Sequence, residues 1–145
     1  MIKKHSSVDL RLVSEKDLRF LYELLKEREM STNISHRKMP TYNEHVNFVL
    51  SKPYSKWYII YYGKNRVGSI YLSKQNEVGI FIKKIFFMNG IGTYALRLLI
   101  ELNPSERFLA NINPKNKKSI EFFKKNGFKL LQHTYELIEE KIKND

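Results

Sequence analysis

Two glycines, Gly90 and Gly92, stand where an apolar β-rich run gives way to a helical pattern, in Ile80-Phe81-Ile82-Lys83-Lys84-Ile85-Phe86-Phe87-Met88-Asn89-Gly90-Ile91-Gly92-Thr93. A helix opened this way offers unpaired N–H groups and the positive end of its dipole, a combination that suits a phosphate. Glycine there lets the main chain approach an anion with no Cβ in between, and equally serves a tight strand-to-helix turn. A second stretch runs Asn111-Ile112-Asn113-Pro114-Lys115-Asn116-Lys117-Lys118-Ser119-Ile120-Glu121-Phe122-Phe123-Lys124-Lys125-Asn126-Gly127-Phe128. Asn116 opens its helix, and Ser119 and Phe123 follow one and two turns later on the same face. Glu77 is a carboxylate at a strand start, able to take a proton or simply to face solvent. Lys83, Lys84, Lys117 and Lys118 read first as solvated charge.

Gly90-Ile91-Gly92-Thr93-Tyr94-Ala95 also matches the dinucleotide fingerprint formally. That fingerprint belongs at the first βα turn, with an acidic residue about 20 positions on. Here several strands and helices come first, and the next strand ends Asn111-Ile112-Asn113 without a carboxylate.

The elements that must position these residues alternate in a mixed α/β pattern. Residues 8–13 form a strand with Val8, Leu10 and Leu12 on one face, and Ser14 with Asp17 marks a helix carrying Leu18, Leu21, Leu24 and Leu25. Thr41 and Glu44 form a second capping box ahead of Val46, Phe48, Val49 and Leu50, with the helix ending near Pro53. Strands 57–62 and 67–73 join through Gly63-Lys64-Asn65-Arg66, and 77–82 completes a meander. A helix over 93–102, a strand over 108–112, a helix over 116–126 stopped by Gly127, and strands over 128–131 and 133–138 follow, before a charged tail at 139–145. No linker or repeat divides residues 1–145, so one domain is expected.

The chain has 145 residues, 42% of them apolar, and no apolar run near the about 18 that a membrane helix needs. No signal segment is visible at the start, and a cytoplasmic location is the default. The absence of cysteine excludes disulfides, thiolate metal sites and a cysteine nucleophile. A net charge of +11 invites a nucleic-acid reading. The lysines are scattered along helix faces and turns rather than clustered, which argues against it.

Taken as a pair and in order, strand, Gly-x-Gly and helix, then strand, Asn-x-x-Ser-Ile, aromatic-bearing helix and Gly-Phe, the two stretches resemble the GCN5-related N-acetyltransferase (GNAT) family. The resemblance implies an α/β fold with a largely antiparallel central sheet of about six or seven strands, splayed in the middle and flanked by about four helices. It implies acetyl-CoA as cosubstrate, its pantetheine beside Ile80, Phe81 and Ile82 and its pyrophosphate on Phe87, Met88, Asn89, Gly90, Ile91, Gly92 and Thr93. Asn113, Asn116, Ser119 and Phe123 would face the cofactor. Two departures stand out: Phe87 replaces a usual Gln or Arg, and Phe123 replaces the Tyr that protonates departing CoA in many members. A thiol with an ordinary pKa of about 8.5 needs such an acid less than an amide nitrogen does. Tyr71, Tyr94 and Tyr135 are possible replacements, with Tyr135 the candidate taken forward.

An amine attacks a thioester only when neutral, so the site needs a base, and Glu77 is the candidate. The N–H of Phe81 or Ile82 would hold the oxyanion. By resemblance the acceptor enters near residues 30–45, where His36, Arg37, Met39, Tyr42 and His45 stand; His36, Met39 and Tyr42 are the substrate-binding candidates. Each histidine reads first as a surface or capping residue, and their spacing suggests no metal. The segment is similar to that of transferases acting on nucleotide-linked 4-amino sugars; a protein α-amine, a polyamine or an antibiotic amine are the alternatives. A silent acyl-CoA-binding module and a nucleic-acid binder are the other classes of function, and the chain is expected to be a monomer or homodimer.

Overall fold

The computed structural model describes residues 7–32, 38–87 and 89–140. Strand β1 (Val8–Leu12) leads through a 3-10 turn at Glu15–Asp17 into α1 (Leu18–Thr32), followed by α2 (Tyr42–Leu50). Then come β2 (Lys56–Tyr62), β3 (Asn65–Leu72), β4 (Val78–Ile82), a 3-10 turn at Lys84–Phe86, α3 (Ile91–Leu102) and α4 (Lys117–Lys125). The strands form one antiparallel sheet in the order β1-β2-β3-β4. Both capping boxes form: the Ser14 N–H donates to Asp17 Oδ2 at 2.8 Å, and the Thr41 N–H donates to Glu44 Oε1 at 3.1 Å while Thr41 Oγ1 accepts from the Glu44 N–H.

Alternation along β2 sends Tyr58 and Ile60 to one face and Ile59 and Tyr61 to the other. On the first face Ile91, Ala95, Leu96, Leu99 and Phe123 from α3 and α4 pack against Leu10, Ile60, Ile70 and Val78. On the second, Leu21 of α1 and Val49 of α2 meet Ile59 and Tyr61. Each such side chain removed from water contributes roughly 1.5–3 kcal/mol.

Ile60 pairs with Gly68 but Tyr61 pairs with Arg66, so Val67 is an extra residue in β3. This bulge re-aims the strand locally. Arg66 emerges on the α1 side, where its Nε donates to Oδ1 of the buried Asp17 at 2.8 Å.

The α/β class and the four helices agree with the sequence reading, but the strand count does not. Residues 108–112 touch the sheet through one parallel bridge: the Val78 N–H donates to Leu109 O at 2.7 Å and the Leu109 N–H to Asn76 O at 2.9 Å. Residues 128–131 and 133–138 form no strand, because a strand exists only through a neighbour's hydrogen bonds and no ladder reaches them among the described residues. Leu130, Leu131, Tyr135, Leu137 and Ile138 consequently stand exposed. Of the predicted tail, residues 141–145 lie outside the described residues.

Asp17→Ala removes the helix cap and the Arg66 partner together, and urea unfolding should show a loss of roughly 2–3 kcal/mol. Leu137→Ser, at a side chain that buries nothing, should shift stability by less than about 0.5 kcal/mol.

Candidate active site

The parting of β4 from residues 108–112 creates the first half of the site. Phe81 pairs with Ser69 and Gly79 with Tyr71 across to β3, and the Lys83 N–H donates to Val67 O at 2.8 Å. Alternation therefore turns the main-chain N–H and C=O groups of Val78, Ile80 and Ile82 toward the opposite side. Val78 donates there to Leu109, whereas Ile80 and Ile82 meet no partner strand among the described residues. An extended ligand carrying amides can bond this open edge as a strand would. Of the two oxyanion donors read from sequence, the Ile82 N–H faces the gap and the Phe81 N–H is turned to β3.

The mouth of α3 forms the second half. Gly90 caps it with φ 72°, a left-handed conformation that disfavours side chains, and a Cβ there would meet nothing within 4 Å. Asn89 and Gly90 are exposed, and the first helical bond runs from the Tyr94 N–H to Gly90 O, so the amides of Ile91, Gly92 and Thr93 precede the helix's own ladder. Gly92 has a different reason: a Cβ there would lie 3.1 Å from Phe122 Cε2 and 3.2 Å from Ile82 Cδ1. It makes room for α4 rather than for an anion.

Helix α4 closes against this loop. Asn126 Nδ2 donates to Phe122 O at 2.8 Å and reaches Thr93 Oγ1 at 3.5 Å, and Lys118 Nζ stands 5.7 Å from the Phe87 ring. The segment 87–93 thus runs along α4, Phe87 near Lys118 in its first turn, Gly92 against Phe122 and Thr93 near Asn126 at its end, while Met88 lies outside the described residues. Asn116 Oδ1 accepts from the Ser119 N–H at 3.1 Å, capping α4, and Asn113 Oδ1 accepts from the Lys115 N–H. Phe123 is buried, its ring 5.1 Å from Phe122 and 5.0 Å from Phe128, so it belongs to the core.

On the α1–α2 side of the sheet lies a cleft of about 410 Å³, within the range of small-molecule sites, and Gly79, Ile80 and Phe81 form its inner edge. Its wall is aromatic. Tyr54 stacks on Tyr71 with centroids 3.8 Å apart, Trp57 stands edge-on to Tyr54 at 4.8 Å, and Phe48 flanks both. Trp57 Nε1 donates to the buried Ser69 Oγ at 2.7 Å, which locks the indole. Gly79 supplies the space that the Tyr71 ring occupies, since a Cβ there would overlap it. Arg28 and Lys38 bring positive charge to the lining and Glu44 the one carboxylate among the described residues, which is tied to Thr41.

His45 also lines the cleft. Contrary to the surface or capping role read from sequence, it is 4% exposed, and its Nε2 is buried without a hydrogen-bond partner among the described residues. Burial pushes the imidazole below its ordinary 6.5, so the ring is neutral at pH 7. Because the folded value lies below the unfolded one, His45 costs no stability above pH 6.5 and destabilises the fold as pH drops through that window.

The remaining candidates disperse. Glu77 is not among the cleft residues; its carboxylate accepts from Ser73 Oγ at 3.1 Å and from Asn111 Nδ2, clamping the bridge to Leu109. Tyr135 is 90% exposed on the unpaired C-terminal segment, which leaves Tyr71 as the tyrosine of the three that reaches the cleft. Tyr42 packs against Tyr22 and under Arg19, Met39 stays outside the lining, and His36 and Arg37 lie outside the described residues. The aromatic wall and Gly79 escaped the sequence reading; their one signal was a lone glycine inside a strand. Gly79→Ala should displace Tyr71, raising the acceptor KM about tenfold while leaving stabilisation by CoA unchanged in thermal unfolding.

Residues 8–129 match the family model described as acetyltransferase (GNAT) domain. Among curated protein sequences no significant match is found. Among solved structures, a domain from Methanocaldococcus jannaschii DSM 2661 superposes with TM-score 0.76 at 22% identity, over 89% of this chain and 92% of that one. A ribosomal-protein alpha-N-acetyltransferase in complex with coenzyme A gives 0.73 at 18%, over 88% and 82%. The spermidine N-acetyltransferase of Vibrio cholerae, in complex with CoA and spermine, gives 0.72 at 18%, over 88% and 84%. These likenesses establish the shared fold. With the family model spanning both the parted strands and the glycine-capped helix, the chain belongs to the GNAT acetyltransferases, enzymes that use acetyl-CoA as acyl donor.

Proposed function

We propose that this enzyme acetylates the primary amine of a small molecule that also carries a planar, anionic group, with a nucleotide-linked amino sugar as the fitting class. The observation that carries this reading is that one strand segment, Gly79–Phe81, borders both the gap beside β4 and the aromatic cleft. Ile80 turns its main chain to the gap suited to the pantetheine arm, and the same segment edges the aromatic cleft. The residues present fit the donor: an unpaired strand edge for its amides and an open helix mouth at Gly90 for its diphosphate. When bound, acetyl-CoA supplies the activated acyl carbon.

The cleft's chemistry selects among acceptors. Rings of Tyr54, Trp57 and Phe48 suit a planar base, and Arg28 with Lys38 suits phosphate. A polycation would call for several carboxylates, and among the described residues the lining carries one, Glu44, against the cations Arg28 and Lys38. We assign protonation of the departing thiolate to Tyr71 instead of Tyr135, because Tyr71 lines the cleft and Tyr135 is exposed.

Acetyl-CoA and CoA at 100 times their Kd should stabilise the protein by about 2.7 kcal/mol in thermal unfolding, and NAD should not. A UDP-linked 4-amino sugar should be turned over in preference to spermidine and to a peptide with a free α-amine. Arg28→Ala and Lys38→Ala should each raise its KM about tenfold with kcat little changed. Preference for spermidine would overturn the acceptor class, and binding of CoA without turnover of any amine would leave a silent acyl-CoA module.

A further inference from the structure

We infer that His45 is the general base of the transfer, taking the proton from the attacking amine. The inference rests on the acetyl-transfer reading of this cleft and deepens it.

Three observations converge on the imidazole. It lines the same cleft as Gly79, Ile80 and Phe81, the strand segment that would flank the thioester. It is held rigidly, packed 5.4 Å from the Tyr22 ring, whose hydroxyl is itself fixed by donating to Pro40 O at 2.9 Å. And its Nε2 is the one buried side-chain polar atom without a partner among the described residues. A histidine retained only for packing loses free energy by burying such a nitrogen unpaired, and a phenyl ring would fill the space without that cost. The usual carboxylates are absent from the role: Glu77 clamps the strand bridge, and Glu44 is exposed and bound to Thr41.

Burial keeps His45 unprotonated until an acceptor arrives. Tyr22 faces it from α1, and the cleft lining adds Arg28, Lys38, Glu44, Tyr54 and Tyr71. Desolvation alone disfavours the imidazolium, so the ring stands ready as an acceptor at neutral pH. In the step itself the amine nitrogen attacks the thioester carbonyl, the new C–N bond forms and the C–S bond breaks. The departing thiolate takes its proton from Tyr71, and the proton from nitrogen passes to His45 and on through solvent, which returns one to Tyr71.

The test is steady-state transfer from acetyl-CoA across pH 5–9 in wild type, His45→Gln and His45→Asn, with a UDP-linked 4-amino sugar, spermidine and a serine-initiated peptide as probe amines. On whichever amine the wild type uses, kcat should fall roughly 10²- to 10⁴-fold in the variants. Stabilisation by CoA and the KM for acetyl-CoA should hold, and the acid limb of the wild-type profile, expected below pH 6.5, should disappear. Free imidazole should restore turnover to His45→Ala in proportion to its unprotonated fraction, which a packing role would not predict. Should both substitutions unfold the protein, the wild-type acid limb decides: its absence overturns the assignment. Variants that keep kcat within threefold, or an intact acid limb in them, remove His45 from the chemistry while leaving the transferase reading in place. Turnover of only spermidine or the peptide overturns the acceptor class and not His45, whereas no turnover of any amine by the wild type overturns both.

Discussion

The site depends on a sheet left incomplete at one place. β4 is bonded along its length to β3, yet on its other side it keeps, among the described residues, a single bridge, between Glu77 and Leu109. Main-chain donors and acceptors in a protein interior demand partners, and a fold that leaves those of Ile80 and Ile82 facing a gap has left them for something else. A ligand with amides of its own satisfies them at no cost in new backbone ordering, because β3 already holds the strand extended. Glu77 takes its meaning from this. By binding Ser73 and Asn111 it fastens the closed end of the opening, a mechanical part that a carboxylate at a strand start can play as readily as a chemical one.

Around that opening the two glycines of the helix entrance divide their labour. Gly90 adopts φ 72° in open space, so its value is conformational: it turns the chain so that the first amides of α3 point outward. Gly92 is pressed by Phe122 and Ile82, so its value is steric, letting α4 lie close enough for Asn126 to reach Thr93. Identical residues two positions apart thus meet different demands.

The other face is organised by aromatic contact. Gly79 vacates the volume that Tyr71 fills, Tyr71 stacks on Tyr54, and Ser69 holds the Trp57 indole at right angles to both. A wall fixed in this way lends a planar ligand little entropy cost on binding. His45 lines the same cleft beside the Tyr22 ring, its Nε2 without a partner among the described residues, which is where a titratable group becomes responsive to what enters the cleft.

The sequence by itself determined the local features: both capping boxes, the four helices, the meander of strands and the glycine-opened helix followed by an asparagine-capped one. Each of these is encoded within a few residues, through hydrogen bonds and periodicities that act at short range. What only the tertiary structure decided are the relations between distant segments. Counting back from the Gly63 turn pairs Trp57 with Ile70, but the bulge at Val67 moves it opposite Tyr71, and a slip of one residue exchanges the faces of a strand. The aromatic wall exists because of that slip. The burial of His45, the distance of Glu77 and Tyr135 from the cleft lining and the lack of a strand ladder at residues 128–138 among the described residues are of the same kind. An identical side chain is catalytic, structural or idle according to what the packed chain sets beside it, and a residue's neighbours in space are not written in its neighbours along the chain.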